Sequence, residues 1–175
     1  VATCVGMAFG EDNFDFRNAK WGMSSDECYD SEKFKSGIIK EDYDELKFKG
    51  MIFDNVSNIS YQFKDNKLYK GYIAIIVDNA SEAQKIFSSI KTKIAERAIH
   101  SNEYDMYHIS FSTKNTNIDL GITNDSNLYL VLAGYRASDL KSIGLEKYAE
   151  TPPNPQDLEG FWLAGEQRNR NLDNW

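Results

Sequence analysis

Apolar residues recur along this chain at two periods, and the change from one to the other outlines its elements. In Leu46-Lys-Phe-Lys-Gly-Met-Ile-Phe53 alternation puts Leu46, Phe48 and Ile52 on one face, and in Val56-Ser-Asn-Ile-Ser-Tyr-Gln-Phe63 it groups Ile59, Tyr61 and Phe63. Both stretches read as strands, with Asp54-Asn55 and Asp65-Asn66 as the tight turns after them. A third strand, Lys67 to Val77, ends in the apolar run Ile73-Ala-Ile-Ile-Val77, which calls for cover on both faces and a central place in a sheet. The period then lengthens. Behind the capping-box pattern Ser81-Glu-Ala-Gln84, residues Ala83, Ile86, Phe87, Ile90, Ile94 and Ala98 recur at helical spacing up to Ile99. Alternation returns in Tyr107 to Phe111 and Ile118 to Ile122, and Leu128 to Tyr135 is apolar throughout, with Asn115 and Asn124-Asp-Ser-Asn127 marking turns.

An earlier helix begins at Ser24-Ser-Asp-Glu27, where the Ser24 hydroxyl can accept from the N3 amide and the Glu27 carboxylate can return to the Ser24 amide. It is expected to run to about Lys35 and to stop at Gly37. The order is therefore helix, three strands, helix, three strands. This predicts an α+β fold of two α-β-β-β units (residues 14–77 and 81–135), with the helices packed on one face of an antiparallel sheet, continuous or split. A short helix is expected from Ser138 to Lys147. Pro152-Pro-Asn-Pro155 then breaks regular structure, and residues 151–175, which hold Phe161, Trp162 and Trp175, are expected to pack back on a single domain spanning 11–150.

Residues 1–10 are uncharged and mostly apolar or small, and Ala8-Phe9-Gly10 precedes Glu11-Asp12-Asn13. We read them as the remnant of a secretory signal peptide cleaved after Gly10, which implies an exported, periplasmic or envelope-associated protein. A lipidated Cys4 and a buried N-terminal strand are the competing readings of the same residues. Without Cys4 only Cys28 remains, so the mature chain would hold no internal disulfide. No run reaches the ~20 apolar residues of a transmembrane helix.

The formal net charge of −7 opposes a nucleic-acid partner, which needs a basic face to displace phosphate counterions. The charge is also concentrated: residues 11–45 carry eleven Asp/Glu against five Lys/Arg. An acidic first helix bearing Asp26, Asp30 and Glu32 is thus either a solvated face or a docking surface for a basic partner.

The segment Phe16-Arg-Asn-x-Lys-Trp-Gly-Met-Ser-x-x-Glu27, followed by Phe63-Lys-Asp-Asn-Lys-Leu-Tyr69, resembles small bacterial envelope proteins that open with a Trp-Gly-Met-Ser-x-x-Glu-Val segment. The Gly22-Met23-Ser24-x-x-Glu27 part, after Trp21, is similar to the helix start of the BamE-like and beta-lactamase-inhibitor-like folds. Cys28 stands where that pattern has Val, a change that keeps a small buried apolar side chain. The resemblance implies an extracytoplasmic α+β module that works by binding another protein, as an assembly factor or an inhibitor. The inhibitors carry disulfides within their repeats that this chain cannot form, so their target and binding residues are not carried over.

Catalytic and metal constellations are sparse. The two histidines, His100 and His108, lie at no metal-site spacing from each other or from a cysteine. A Cys28 and His108 nucleophile pair would have to meet in space, and it is the basis of the alternative reading, a small-molecule-binding protein or small hydrolase. Asp42 with Asp44 and Asp119 with Asp125 are the acidic pairs open to a glycosidase dyad or a cation site, although a solvated acidic surface accounts for them. No glycine-rich phosphate loop occurs, and no cofactor is expected. Asn55-Val-Ser57, Asn58-Ile-Ser60 and Asn124-Asp-Ser126 match glycosylation sequons, which matter only in a eukaryotic secretory route. The one surplus is aromatic, with ten Tyr. Tyr72, Tyr129 and Tyr135 are expected on the sheet face opposite the core, where tyrosines suit a protein-binding or sugar-binding surface or lie under the C-terminal segment. The leading expectation is a non-enzymatic envelope protein that binds a partner through that face and the acidic helix.

Overall fold

The computed structural model describes residues 15–32, 39–41, 44–125 and 128–149. The expected signal remnant, Gly37, Asp42 and the C-terminal segment 151–175 lie outside them. Helix α1 (Ser25–Ser31) precedes strands β1 (Ile39–Glu41), β2 (Glu45–Ile52), β3 (Asn55–Lys64) and β4 (Lys67–Val77). Helix α2 (Ala80–Ala95) follows, then β5 (His100–Asp105), β6 (His108–Ser112), β7 (Thr116–Asp125) and β8 (Leu128–Ala137). All eight strands join one antiparallel sheet in the order β1-β2-β3-β4-β8-β7-β6-β5.

This corrects the expected architecture of two α-β-β-β units. The molecule is dominated by one continuous sheet, closed at its centre by the β4–β8 pair, and each helix leads into four strands. The two extra strands, β1 and β5, are short, polar and placed at the two edges, so neither leaves an apolar alternation to read. The expected helix over 138–147 is also absent: the chain makes turns there and a single 3-10 turn at Glu146–Tyr148.

The core lies on one face. Leu46, Phe48 and Ile52 of β2 and Ile59, Tyr61 and Phe63 of β3 are buried there as their alternation requires, together with Ile73, Ile75 and Val77 of β4. Ala83, Ile86, Phe87, Ile90 and Ile94 of α2 complete that cluster, each large side chain contributing about 1.5–3 kcal/mol of burial. The helix starts two residues before the expected box, because Asn79 is the N-cap and its side-chain oxygen accepts from the Glu82 amide at 2.9 Å. At the first helix the expected box forms, with Ser24 and Glu27 satisfying each other's amides. That helix nonetheless ends at Ser31, short of Lys35, because Glu32 turns to extended backbone and its side chain goes into the core.

Turn chemistry sets the two hairpins of the first half. Phe53 and Asp54, then Asp65 and Asn66, all take positive φ, the paired left-handed geometry of a two-residue hairpin loop. Between Gln62 and Phe63 the β3–β4 register shifts, so Tyr69 and Lys70 together face Gln62. The bulge leaves Leu68 and Gly71 both on the buried face, three residues apart.

Candidate functional site

The motif segment is absorbed by the fold. The Trp21 indole donates to the Thr116 hydroxyl at 2.9 Å and the Trp21 amide to the Asp15 carboxylate at 2.9 Å, which ties residues 15–21 to β7. The Gly22 amide donates to the Leu68 carbonyl and the Leu68 amide to the Met23 carbonyl, each at 2.8 Å, so residues 22–23 are hydrogen-bonded to the start of β4. Gly22 sits at φ 89°, a conformation that disfavours any residue with a Cβ. Ser24 and Glu27 cap α1, and the Ser24 hydrogen bonds hold the Glu27 carboxyl below its ordinary value. Trp21, Gly22, Met23, Ser24 and Glu27 are therefore architectural.

Under this segment lies a buried ionic cluster. Arg17, at φ 53°, reaches into the core and donates from Nε and Nη2 to the two carboxylate oxygens of Glu32, at 2.9 and 3.2 Å. The two side chains are 2% and 1% exposed. The Tyr61 hydroxyl donates to the same carboxylate. Burial disfavours the Arg17 charge, yet the hydrogen bond and charge of Glu32 outweigh it and raise the guanidinium's pKa. Burial and the Glu32 charge push Tyr61 well above its ordinary value. Burial raises Tyr135 too, partly offset by Arg17, and its hydroxyl has no hydrogen-bond partner among the described residues.

The expected binding residues divide. Asp26 and Asp30 are exposed on α1, but Glu32 is not part of that acidic surface. Tyr72 lies on the face opposite the helices. Tyr129 and Tyr135 do not: they pair with Val77 and Gly71 and share the core face with Val131 and Ala133. The expectation failed because β8 is apolar on both faces and offers no alternation to orient it.

Cys28 and His108 do not meet either. Cys28 is buried in the core cluster, where burial and the nearby Glu27 and Glu32 push its thiol up to about 12, far from a reactive thiolate. His108 belongs to the opposite face, with its ring stacked on Tyr104 at 4.8 Å. His100 is exposed on β5. Asp119 sits on that outer face, and Asp125 is six residues on along β7, roughly 20 Å away, too far for a carboxylate dyad. Burial raises the Asp119 carboxyl, with Arg136 and His108 partly opposing it. Among the described residues no group of three His, Cys, Asp or Glu could hold a metal, and no helix is long and apolar enough to cross a membrane.

The feature the sequence reading missed is the β5 edge. Every described side chain of β5 is exposed, and on its outer side no strand of the described residues pairs with it. Apolar side chains stand at both ends: Ile99 just before the strand, and Tyr104, Met106 and Tyr107 around the β5–β6 turn, with Met106 74% exposed. The available signal was Tyr104-Asp-Met-Tyr107, a run of large side chains placed where a turn needs none. Three features oppose indiscriminate pairing at this edge: Glu103, which bridges to Lys91 of α2, Asp105, and a register shift between them. Comparison with protein-family models, curated proteins and solved structures gives no match.

Proposed function

We propose that this chain is a non-enzymatic, exported protein-binding module that takes an extended segment of another envelope protein along the outer side of β5. The observation that carries this reading is the edge itself, a strand whose outer side is paired by no strand among the described residues and which is flanked at both ends by Ile99, Tyr104, Met106 and Tyr107. Strand addition supplies affinity through the main chain, and the flanking Tyr and Met side chains supply the apolar anchors that interfaces favour. Glu103, Asp105 and the net charge of −7 favour a partner strand that carries Lys or Arg. Export rests on residues 1–10, and the Trp21 to Glu27 resemblance to envelope proteins supports the same compartment.

The test is in-cell photocrosslinking of the full chain with the reactive residue at Met106 in one variant and at Asp26 in another. One dominant partner captured from position 106, and lost when Tyr104→Glu is added without change in the melting temperature, supports the edge. Capture from position 26 alone would move the interface to the acidic helix. No dominant partner from either position would sink the reading.

A further inference from the structure

The pairing of β5 with β6 assigns the two faces of the edge strand. His100 and Asn102 stand opposite Ser112 and Ser110, whereas Ser101 and Glu103 stand opposite Phe111 and Ile109, two residues of the core face. Ser101 and Glu103 therefore lie on the α2 side, where Glu103 meets Lys91, and His100 and Asn102 on the outer side. Regular alternation stops at Tyr104, because the register shifts before Asp105 pairs with His108. The regular stretch from His100 to Tyr104 thus has Asn102 at its middle. Its chemistry is polarised along its length: an imidazole begins the strand, and two carboxylates, Glu103 and Asp105, end it. Exposed apolar side chains stand at both ends, Ile99 before the strand and Tyr104 and Met106 at its close.

We propose that this edge also pairs with a second copy of the chain, antiparallel and centred on Asn102, so that self-pairing and capture of a partner strand exclude each other. The inference rests on the reading of β5 as a docking edge, but not on the identity of its partner. A twofold axis through Asn102 sets the two Asn102 residues side by side, Ser101 of each copy beside Glu103 of the other, and His100 beside Tyr104. No carboxylate then faces another. Glu103 meets a hydroxyl, and Asp105, one position beyond Tyr104, falls next to the other copy's imidazole. Centring the axis on Glu103 instead would bring two carboxylates face to face, which opposes pairing. The same register carries Ile99 of each copy to the β5–β6 turn of the other, where Tyr104 and Met106 are exposed. The charges that turn away an unrelated strand are therefore matched by the chain's own edge. A single short strand with a few apolar side chains makes a small interface, one that a partner strand can displace.

The experiment is sedimentation velocity of the full chain from about 1 μM to about 1 mM, where a reversible monomer–dimer equilibrium is expected. His100→Glu and Asp105→Lys should each weaken the dimer by about tenfold, since each disturbs the same contact twice across the axis, with melting temperatures unchanged. An equimolar mixture of the two variants should recover it, because the carboxylate introduced in one then meets the ammonium introduced in the other. Register is read in a Cys4→Ser background. Asn102→Cys should cross-link to its own counterpart under mild oxidation, because facing residues lie about 4.5–5.5 Å apart at Cα, whereas Ser101→Cys should not, its counterpart standing beyond the ~7 Å that a disulfide spans. A chain that stays monomeric over the whole range overturns the self-pairing and leaves a partner captured from position 106 untouched. A dimer indifferent to both charge variants, or one that cross-links from position 101 and not from 102, overturns it as well. A dimer with all the expected responses, in a chain that captures no partner from position 106, supports the self-pairing and sinks only the proposed function.

Discussion

Arg17 and Glu32 form a two-point ion pair in the core, the guanidinium donating to both carboxylate oxygens at 2.9 and 3.2 Å from a backbone held at φ 53°. A left-handed residue with a long side chain costs about 1–2 kcal/mol, which the pair must offset along with the desolvation of two charges. Removing one partner leaves the other buried and uncompensated. Glu32→Ala and Arg17→Ala are each expected to destabilise the protein by about 3–5 kcal/mol, whereas Arg17→Met combined with Glu32→Leu recovers most of that loss. Urea denaturation of the three variants measures it, and additive losses in the double variant would show that the two charges are not coupled.

Gly71 is fixed by a neighbour and not by its own φ. A Cβ there would overlap the ring of Phe16, which packs edge-on to Tyr61 at 4.9 Å and tilted against Tyr135 at 5.0 Å. Gly71→Ala therefore forces Phe16 out of a cluster that is already close-packed, at a cost of about 1–3 kcal/mol. Phe16→Leu alone leaves a void, but in combination with Gly71→Ala it should recover part of the stability. Thermal melts of the two single variants and the pair provide the comparison. A double variant at the sum of the single losses would break the argument.

What the sequence made legible followed from which faces are half buried. Ile59, Tyr61 and Phe63 could be placed from alternation alone, because β3 carries polar residues at the intervening positions, whereas the apolar run of β4 pointed to its central place in the sheet without assigning faces to Ile73, Ile75 and Val77. Tyr129 and Tyr135 could not be placed, because Leu130 to Gly134 is buried on both sides and only its pairing with β4 and β7 orients the strand. Glu32 looked like one more acid of an exposed helix, since its partner lies fifteen residues earlier and reaches it through a left-handed backbone. The β5 edge escaped for the opposite reason: His100 to Asp105 buries nothing, so its strand character comes wholly from pairing with β6.

Asp119 links the outer face to pH. Burial raises its carboxyl, and Arg136 and His108 recover only part of that shift. The folded state thus holds the Asp119 proton to higher pH than the unfolded chain does. Ionisation costs stability, and this penalty is absent below the ordinary carboxylate pKa of about 4 and complete above the raised folded value. Asp119→Asn removes the penalty. The variant should match the native chain near pH 3 and exceed it near pH 7, as read from urea midpoints. An equal offset at both pH values would show that the substitution acts through packing alone.

Cys28 provides a test of the core that is independent of any partner. Its thiol is fully buried and pushed up to about 12, first by burial and then by Glu27 and Glu32. The unfolded chain releases this proton near the ordinary thiol value of about 8.5, whereas the folded chain keeps it. The Cys28 contribution to stability is therefore intact below pH ~8.5 and declines by up to about 1.4 kcal/mol per unit as pH rises toward the folded value. The same burial controls reactivity. In a Cys4→Ser background, alkylation of Cys28 at pH 8 should be at least about 10³-fold slower in the folded protein than in urea, because reaction must wait for α1 to open. Glu32→Ala, which leaves Arg17 unpaired against α1, should accelerate it by the factor that corresponds to its loss of stability. Fast alkylation of the native chain would mean that α1 opens locally, and that the ionic cluster does not hold the helix on the sheet.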